Sequence, residues 1–347
     1  MSRPTTTSRL LSRRQLGAAA LAAAGLAGCR PRGGGAEVVV YTSLDEPYAR
    51  PVLEAFTRET GVRAVPVFDT EATKSRGLAQ KLLEERDNPR GDVFWSSEVL
   101  QMLRLKEAGV LAPYRSPSAE EIPEQFRDPD GHWTGFAGRF RVLVYYRPRV
   151  SEPPQSLLDL TDPRWRGEVA MANPAFGTTT TEAVALFQIL GPERAKDYFR
   201  ARAANETRIV DGNSVAAERT ARGDVLIGQT DTDDAYIRMD ESETLGLVFP
   251  DQNGFGALMI PNTAGLIAGA PHAEQGRAFL DYLLRPETEL LLAGLPSRQL
   301  PLHPGLEARL PEAVRPLADV KTMDLSYPRL LEDFQAADRF LRETFGS

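Results

Sequence analysis

EVVVYTSLDEPYARPVLEAFTRETGVRAVPVF, residues 37–68, is the stretch of sequence that decides the fold class. Its β-branched start, EVVVYT, is typical of a buried strand, and EPYARPVLEAFTRETG is typical of a helix that ends at Gly61. The next apolar run, VRAVPVF, completes a strand–helix–strand unit. Because such units build parallel sheets covered by helices, the sequence predicts an α/β protein.

The same alternation continues on both sides of one long extended stretch. EATKSRGLAQKLLEER, DVFWSS and EVLQMLRLKEAG extend the first α/β pattern, and GHWTGFAGRFRVLVYYRP then predicts a long strand. After that strand come GEVAMA, a helix from about Thr179 to Leu190, TRIVDG, VAAERTARG and DVLIGQ. The economical interpretation is a second α/β domain.

Composition and motifs limit the function. A chain of 347 residues with 42% hydrophobic residues is long enough for about two domains. Its net charge of −7 argues against nucleic acid, which is held mainly by clustered Lys and Arg. The sequence has no G-x-S-x-G, P-loop, dinucleotide-binding or H-E-x-x-H motif. We therefore do not expect an enzyme.

The N-terminal segment predicts export and a lipid anchor. Residues 12–16, SRRQL, resemble a twin-arginine motif, and a short apolar run follows them. The run ends in LAGC, which resembles a bacterial lipobox with Cys29 as the lipidated residue. We expect residues 1–29 to be an export signal and residues 30–36, with three consecutive glycines, to be a flexible tether. The mature protein would then be lipid-anchored in the periplasm.

Acidic residues follow several predicted strands. In open α/β sheets, ligands bind outside the carboxyl ends of the strands, so these acids predict a cleft lined by oxygen ligands. Helix capping is the alternative for each acid, since carboxylates are favoured at helix N-termini. The acids are Asp45 and Glu46, Asp69 and Glu71, Glu98, and Asp231, Asp233 and Asp234.

A Thr-rich helix start could bind an anion beside the acids. NPAFGTTTTEAVAL, residues 173–186, places Gly177, Thr178 and Thr179 where free backbone N–H groups and hydroxyls could hold a carboxylate, phosphate or carbonate. A well-capped helix is the alternative interpretation. Carboxylate and hydroxyl oxygens suit hard cations, and the histidines, His132, His272 and His303, do not have metal-ligand spacing.

Several segments, in their order along the chain, resemble the periplasmic solute-binding proteins of ABC importers, in particular the ferric-iron-binding branch. They include VVVYTSLDEPYARPVLEAFTRETGVRAVPVF, DVFWSSEVLQMLRLKEAGVLAP, GRFRVLVYYRP, LTDPRWRGEVAMANP and GNSVAAERTARGDVLIG. The resemblance implies a two-lobed, type II-like fold with hinge strands and delivery of cargo to a membrane permease and its ATPase. Lobe 1 would comprise residues 37–138 and about 260–312, and lobe 2 about 139–259 and 313–347.

The resemblance also implies site residues, with departures from the family pattern. Adjacent tyrosines of the iron-binding branch fall here on Thr230 and Asp231, and its histidine falls on Asp45. Its glutamate falls on Ser97, with Glu98 beside it, and Asn213 resembles a position that assists an anion. The expected ligand residues are Asp45, Glu71, Ser97, Glu98, Thr230, Asp231 and Asp233, and the expected anion-binding residues are Gly177, Thr178, Thr179 and Asn213.

Two kinds of cargo remain open from the sequence. The first is ferric iron or another hard cation, with or without a synergistic anion. The second is an organic amine, such as an aminophosphonate or a polyamine, held partly by cation–π contacts. The aromatic residues near the strand ends are Tyr41, Tyr48, Trp95 and Tyr236. We expect a monomer that has no catalytic cofactor and binds a small cationic ligand.

Overall fold

The computed structural model describes residues 36–69, 76–175 and 177–346. The predicted lipidation site Cys29 and the predicted ligand Glu71 lie outside the described residues. Residues from Glu37 to the C-terminus form one compact unit. None of the helices in the described ranges is both long enough and apolar enough to cross a membrane.

The first part of the chain alternates strands and helices and then enters a long strand. Gly61 ends the first helix in the left-handed conformation, as the sequence predicts. The elements are β1 Glu37–Thr42, α1 Glu46–Thr60, β2 Arg63–Phe68, α2 Arg76–Glu84, β3 Val93–Ser96, α3 Leu100–Glu107, β4 Leu111–Ala112 and β5 Thr134–Tyr146.

The second part repeats the alternation and ends in helices. Its first helix begins at Gly177, two residues before the predicted start. The elements are β6 Val169–Ala172, α4 Gly177–Leu190, α5 Pro192–Ala204, β7 Arg208–Val210, α6 Asn213–Ala221, β8 Ile227–Asp231, α7 Thr232–Glu241, β9 Leu245–Val248, β10 Met259–Ile267, α8 Ala273–Leu283, α9 Pro286–Ala293 and α10 Leu330–Phe345.

The strands join into one sheet that contains two parallel groups. The strand order is β2-β1-β3-β10-β5-β8-β6-β7, with β4 also on β10 and β9 also on β5. Strand β1 is parallel to β2 and β3, and β6 is parallel to β7 and β8. The predicted α/β class with parallel strands is therefore confirmed.

Strand β5 passes from one parallel group to the other. Its first half, Thr134 to Phe140, pairs antiparallel with β10, and its second half, Arg141 to Tyr145, pairs antiparallel with β8. The register with β10 shifts between Pro261 and Asn262, close to the change of partner. Side chains in the middle of β5 therefore lie where the two groups of strands meet.

Helix α6 packs closely on strand β8 at Gly228. A Cβ atom added at Gly228 would lie 2.4 Å from Thr220 Oγ1, 2.9 Å from the carbonyl oxygen of Ala216 and 2.9 Å from Val144 Cγ2. Only glycine leaves room for the helix at this distance. The distance between α6 and β8 also sets the positions of two polar residues, because β8 ends at Asp231 and α6 begins at Asn213.

Replacing Gly228 by alanine should push α6 away from β8. We expect Gly228→Ala to lower the free energy of unfolding by about 1–3 kcal/mol, the usual cost of overpacking. The control is Gly294→Ala, where the added Cβ would meet the nearest atoms at 3.5 and 3.6 Å. Urea unfolding of both variants tests this, and equal stability of the two would contradict the packing argument.

Candidate functional site

A polar cleft of about 180 Å³ lies at the carboxyl ends of strands from both parallel groups. Its walls come from the segments after β1, β3, β6, β7 and β8, together with the middle of β5. Most of the predicted site residues meet there. Those that line it are Asp45, Ser97, Asp231 and Asp233 from the predicted ligands, and Gly177, Thr178, Thr179 and Asn213 from the predicted anion group.

Further acids and hydroxyls line the same cleft. Asp211 and Asp234 add carboxylates, and Ser43 and Ser214 add hydroxyls. Carboxylate oxygens of Asp231, Asp233 and Asp234 all lie within 4.8 Å of one another. A cation between them would meet several oxygen ligands at once.

Two arginines of β5, which the sequence did not predict as site residues, form ion pairs with these acids. Arg139 lines the cleft, and Arg141 is fully buried behind it. Arg139 Nη1 donates to the carbonyl oxygen of Ser97 (2.7 Å), and its Nε lies 3.4 Å from an oxygen of Asp233. Residues two apart in a strand share one face, so the pattern R-F-R could have indicated a charged face in this buried strand.

Asp231 forms ion pairs with both arginines. Its carboxylate accepts hydrogen bonds from Arg141 Nη1 (2.7 Å) and Arg139 Nε (3.2 Å). Thr178 Oγ1 (2.8 Å) and Asn213 Nδ2 (3.2 Å) also donate to it. The carboxylate makes no capping bond to α7, although Asp231 stands at the N-cap position. Helix capping therefore does not explain this residue, and its charge is already balanced by two guanidinium groups.

The electrostatics of Asp231 follow from these contacts. Burial alone would raise the pKa of its carboxyl, but the charges of Arg141 and Arg139 and the hydrogen bonds hold the pKa below the usual value. Burial likewise opposes the charge of Arg141, yet Glu182 and Asp231 raise the pKa of its guanidinium. Both groups remain ionised, as a buried ion pair with several partners should be.

Two of the predicted ligands do not line the cleft. The carboxylate of Glu98 accepts hydrogen bonds from the backbone N–H groups of Leu100 (2.5 Å) and Gln101 (2.9 Å), so it caps α3. Thr181 Oγ1 also donates to it (3.1 Å), and burial raises the pKa of its carboxyl. Thr230 is fully buried, and its hydroxyl donates to the carbonyl oxygen of Asn213 (2.9 Å).

The predicted anion group occupies two helix starts. Gly177, Thr178 and Thr179 form the first turn of α4, and Asn213 begins α6. The first N–H groups of a helix have no partner within the helix and favour negative charge. Asn213 Nδ2 also donates to Thr178 Oγ1 (2.8 Å), which ties the two helix starts together beside Asp231.

The aromatic residues considered for an organic cation do not line the cleft in the described part of the chain. Tyr41 donates its hydroxyl to Glu85 (2.8 Å), and Trp95 is fully buried next to Phe136. The guanidinium of Arg298 lies 4.8 Å from the centre of the Tyr236 ring. These residues therefore supply no aromatic wall for a cargo amine.

The histidines lie away from the cleft lining. Buried His303 places its ring nitrogens 2.6 Å from Glu289 Oε2 and 2.9 Å from the carbonyl oxygen of Ser118. Burial opposes its charge, but the hydrogen bond with Glu289 raises the pKa of its imidazole. A second acidic group contains His132 with Asp128 and Asp130, and there Lys106 Nζ bonds both carboxylates, at 2.6 and 2.8 Å.

Comparison with known proteins identifies the family. The bacterial extracellular solute-binding protein family matches residues 89–318, more than half of the chain. The chain belongs to this family. The resemblance found in the sequence segments is thus confirmed, and the family is one of binding proteins.

Proteins similar to this chain differ in what their names say they bind. Iron uptake protein A2 of Synechocystis is 29% identical over 245 residues, covering 66% of this chain and 70% of that protein. The putative 2-aminoethylphosphonate-binding periplasmic protein of Salmonella typhimurium is 21% identical over 257 residues, covering 72% and 73%. The structure of iron-bound HitA from Pseudomonas aeruginosa matches with a TM-score of 0.80 at 22% identity, over 90% of this chain and all of that one. This structural match confirms the predicted two-lobed fold.

Removing the charge of Asp231 should destabilise the protein even without cargo. We expect Asp231→Asn to lower the free energy of unfolding by about 3–5 kcal/mol, because two buried arginines lose their common counter-ion. The control is Asp240→Asn, whose partner Arg298 is partly exposed, with an expected cost of about 0–1 kcal/mol.

The pH dependence of unfolding gives a second measure of the same interaction. Because the pKa of Asp231 is lowered in the folded protein, its contribution is present above the unfolded pKa of about 4 and is lost as the pH falls through the folded value. The stability difference between wild type and Asp231→Asn should therefore shrink in acid. A difference that stays constant down to pH 2 would contradict the assignment.

Proposed function

We propose that this protein is the substrate-binding component of an ABC importer and captures a cation in the cleft. The observation that carries the proposal is the charge of the lining. Among the described lining residues, carboxylates outnumber guanidinium groups: Asp45, Asp211, Asp231, Asp233 and Asp234 line the cleft together with Arg139. Such a cleft attracts cations and repels anions that arrive alone.

The donor atoms and the size of the cleft favour a hard metal ion. Carboxylate and hydroxyl oxygens suit ferric iron and divalent metals, while the described lining contains no imidazole or sulfur. A volume of about 180 Å³ lies below the usual range for sites that enclose larger organic ligands. Ferric iron is the preferred cargo, because several similar proteins are named for iron uptake or ferric iron binding.

The metal ligands would differ from the tyrosines of the iron-binding branch. Asp231 occupies one tyrosine position, and its charge is balanced by Arg139 and Arg141. Carboxylate oxygens of Asp233 and Asp234 lie within 4.8 Å of each other and of Asp231, so we assign the main cation contacts to these two residues, with Asp45 across the cleft. Gly177, Thr178, Thr179 and Asn213 would hold a small anion bound together with the cation.

An organic amine with an acidic group is the second candidate. The cleft offers Arg139 and two helix starts to an acidic group, and carboxylates to an amine, within one small volume. The similarity to a relative named for 2-aminoethylphosphonate supports this alternative. A zwitterion of that size would satisfy both sides of the cleft without a metal.

The proposed transport role also needs lobes that close and an anchor at the cell envelope. We propose the lobe boundaries given above, with β5 and β10 as hinge strands that let the lobes close on cargo. Cys29 would carry the lipid after export through the twin-arginine signal, so that the protein stays at the cell envelope. The loaded protein would then deliver its cargo to a permease and its ATPase.

Calorimetric titration tests the cation site. We expect Asp233→Asn to weaken the binding of ferric ion, supplied as its citrate complex, by about tenfold or more, because carboxylate charge sets the affinity of such sites. The control Asp240→Asn removes an acid at the far end of the same helix and should leave affinity unchanged. Manganese(II) and 2-aminoethylphosphonate serve as alternative probes.

The pattern among the probes decides between the two candidates. Binding of 2-aminoethylphosphonate but of neither metal would reject the metal and favour the zwitterion. Equal affinities of Asp233→Asn and Asp240→Asn for every probe that binds would reject the proposed cation contacts.

The lipid anchor has its own test. Cys29→Ser should release the protein from the membrane fraction in soluble or unprocessed form, because the lipidated thiol is missing. Fractionation and the mass of the mature protein report the change. Membrane association and processing identical to wild type would overturn the anchor proposal.

A further inference from the structure

A row of buried polar side chains leads from the interior of the protein to the cleft. Arg202 Nη1 donates to Gln229 Oε1 (3.1 Å), and Gln229 Nε2 donates to Glu182 Oε2 (2.5 Å). Arg141 Nε donates to the same oxygen of Glu182 (3.0 Å). Arg141 then pairs with Asp231, as described above.

The row ends in the cleft, where Arg139 pairs with Asp231 and Asp233. We call these residues the charge row: Arg202, Gln229, Glu182, Arg141, Asp231, Arg139 and Asp233. Its charged groups alternate in sign, with three cations and three anions, so the row as a whole is neutral.

The charge row is almost completely removed from solvent. Arg202 and Arg141 are 0% exposed, Glu182 and Asp231 are 2% exposed, and Arg139 is 4% exposed. Charges in such surroundings are screened far less by water and salt than charges on the surface. A change of one charge inside the row should therefore be felt in the cleft, where the row ends.

Glu182 is the member of the row that can be changed with the least disturbance. Its Oε2 accepts both hydrogen bonds, while its Oε1 is buried and has no hydrogen-bond partner among the described residues. In Glu182→Gln, the amide oxygen can accept both bonds, and the NH₂ group can take the place of Oε1. The substitution then keeps the shape and the two bonds and removes one negative charge.

We infer that Glu182, which does not line the cleft, is a specificity-determining residue: its buried charge keeps the row neutral and so preserves the preference of the cleft for cations. Without it, the row would carry one net positive charge directly behind the anion-binding helix starts. The inference rests on the proposed cation-binding function. Glu182 would act on the cargo only through the charge of the row, because its side chain is not part of the cleft lining.

The experiment compares a cation and an anion on the same variant. Ferric ion, supplied as its citrate complex, and manganese(II) probe the cation side, and inorganic phosphate alone probes the anion side. We expect Glu182→Gln to weaken metal binding and to tighten phosphate binding, each by about threefold to tenfold, as added positive charge in a poorly screened site should. A purely structural role of Glu182 would weaken both.

Two further variants complete the test. Glu182→Asp retains the charge, so its ratio of metal to phosphate affinity should stay at the wild-type value even if the shorter side chain lowers stability. Asp92→Asn removes another buried acid, whose carboxylate accepts from the backbone N–H groups of Val39 and His272 just before β3, at the end of that strand opposite the cleft. Its metal and phosphate affinities should equal those of wild type.

The outcomes separate this inference from the proposed function. Unchanged metal affinity in Glu182→Gln, or metal and phosphate affinities that shift in the same direction, would overturn the role of Glu182 while leaving the cation site intact. Wild-type protein that binds neither metal would overturn the metal cargo instead. In that case the phosphate titration of Glu182→Gln still decides the role of Glu182, since phosphate binding that does not tighten rejects it.

Discussion

The shared ion pair of Asp231 with Arg139 and Arg141 is the interaction on which the site depends. Three charged groups with almost no solvent exposure can coexist only because each has partners of opposite sign and further hydrogen bonds. Thr178 and Asn213 supply some of those bonds, so the same carboxylate also fixes the starts of α4 and α6. The position of the two helix starts and the charge balance beside the cleft therefore depend on one carboxylate.

Strand β5 explains why this ion pair can lie between two halves of the sheet. The strand changes its partner from β10 to β8 between Phe140 and Arg141, so residues 139 and 141 lie on either side of that change. Arg139 reaches the carbonyl oxygen of Ser97 after β3 and also the acids after β8. One arginine thus contacts the strand ends of both parallel groups, which is the arrangement that a binding cleft between two lobes requires.

The acids that follow the strands have different tasks. Glu98 binds the first N–H groups of α3, and Asp231 neutralises arginines. Asp233 and Asp234 line the cleft together with Asp45 and Asp211. Acids at equivalent places in a sequence pattern can therefore cap a helix, balance a buried cation or line a binding site.

The sequence by itself determined the α/β class, the family and the place of the cleft. The alternation of strands and helices and the family segments can be read along the chain, because each depends on residues that are close in sequence. The strand ends also placed Asp45 and Asp233 at one cleft, the Thr-rich helix start added Gly177, and the family resemblance added Ser97 and Asn213. Only the tertiary structure decided that Glu98 caps α3 and that Asp231 belongs to the arginines. Those assignments depend on which side chains come within hydrogen-bonding distance of each other in the folded protein. Arg141 and Asp231 are far apart in sequence, so the linear pattern does not show that they are in contact.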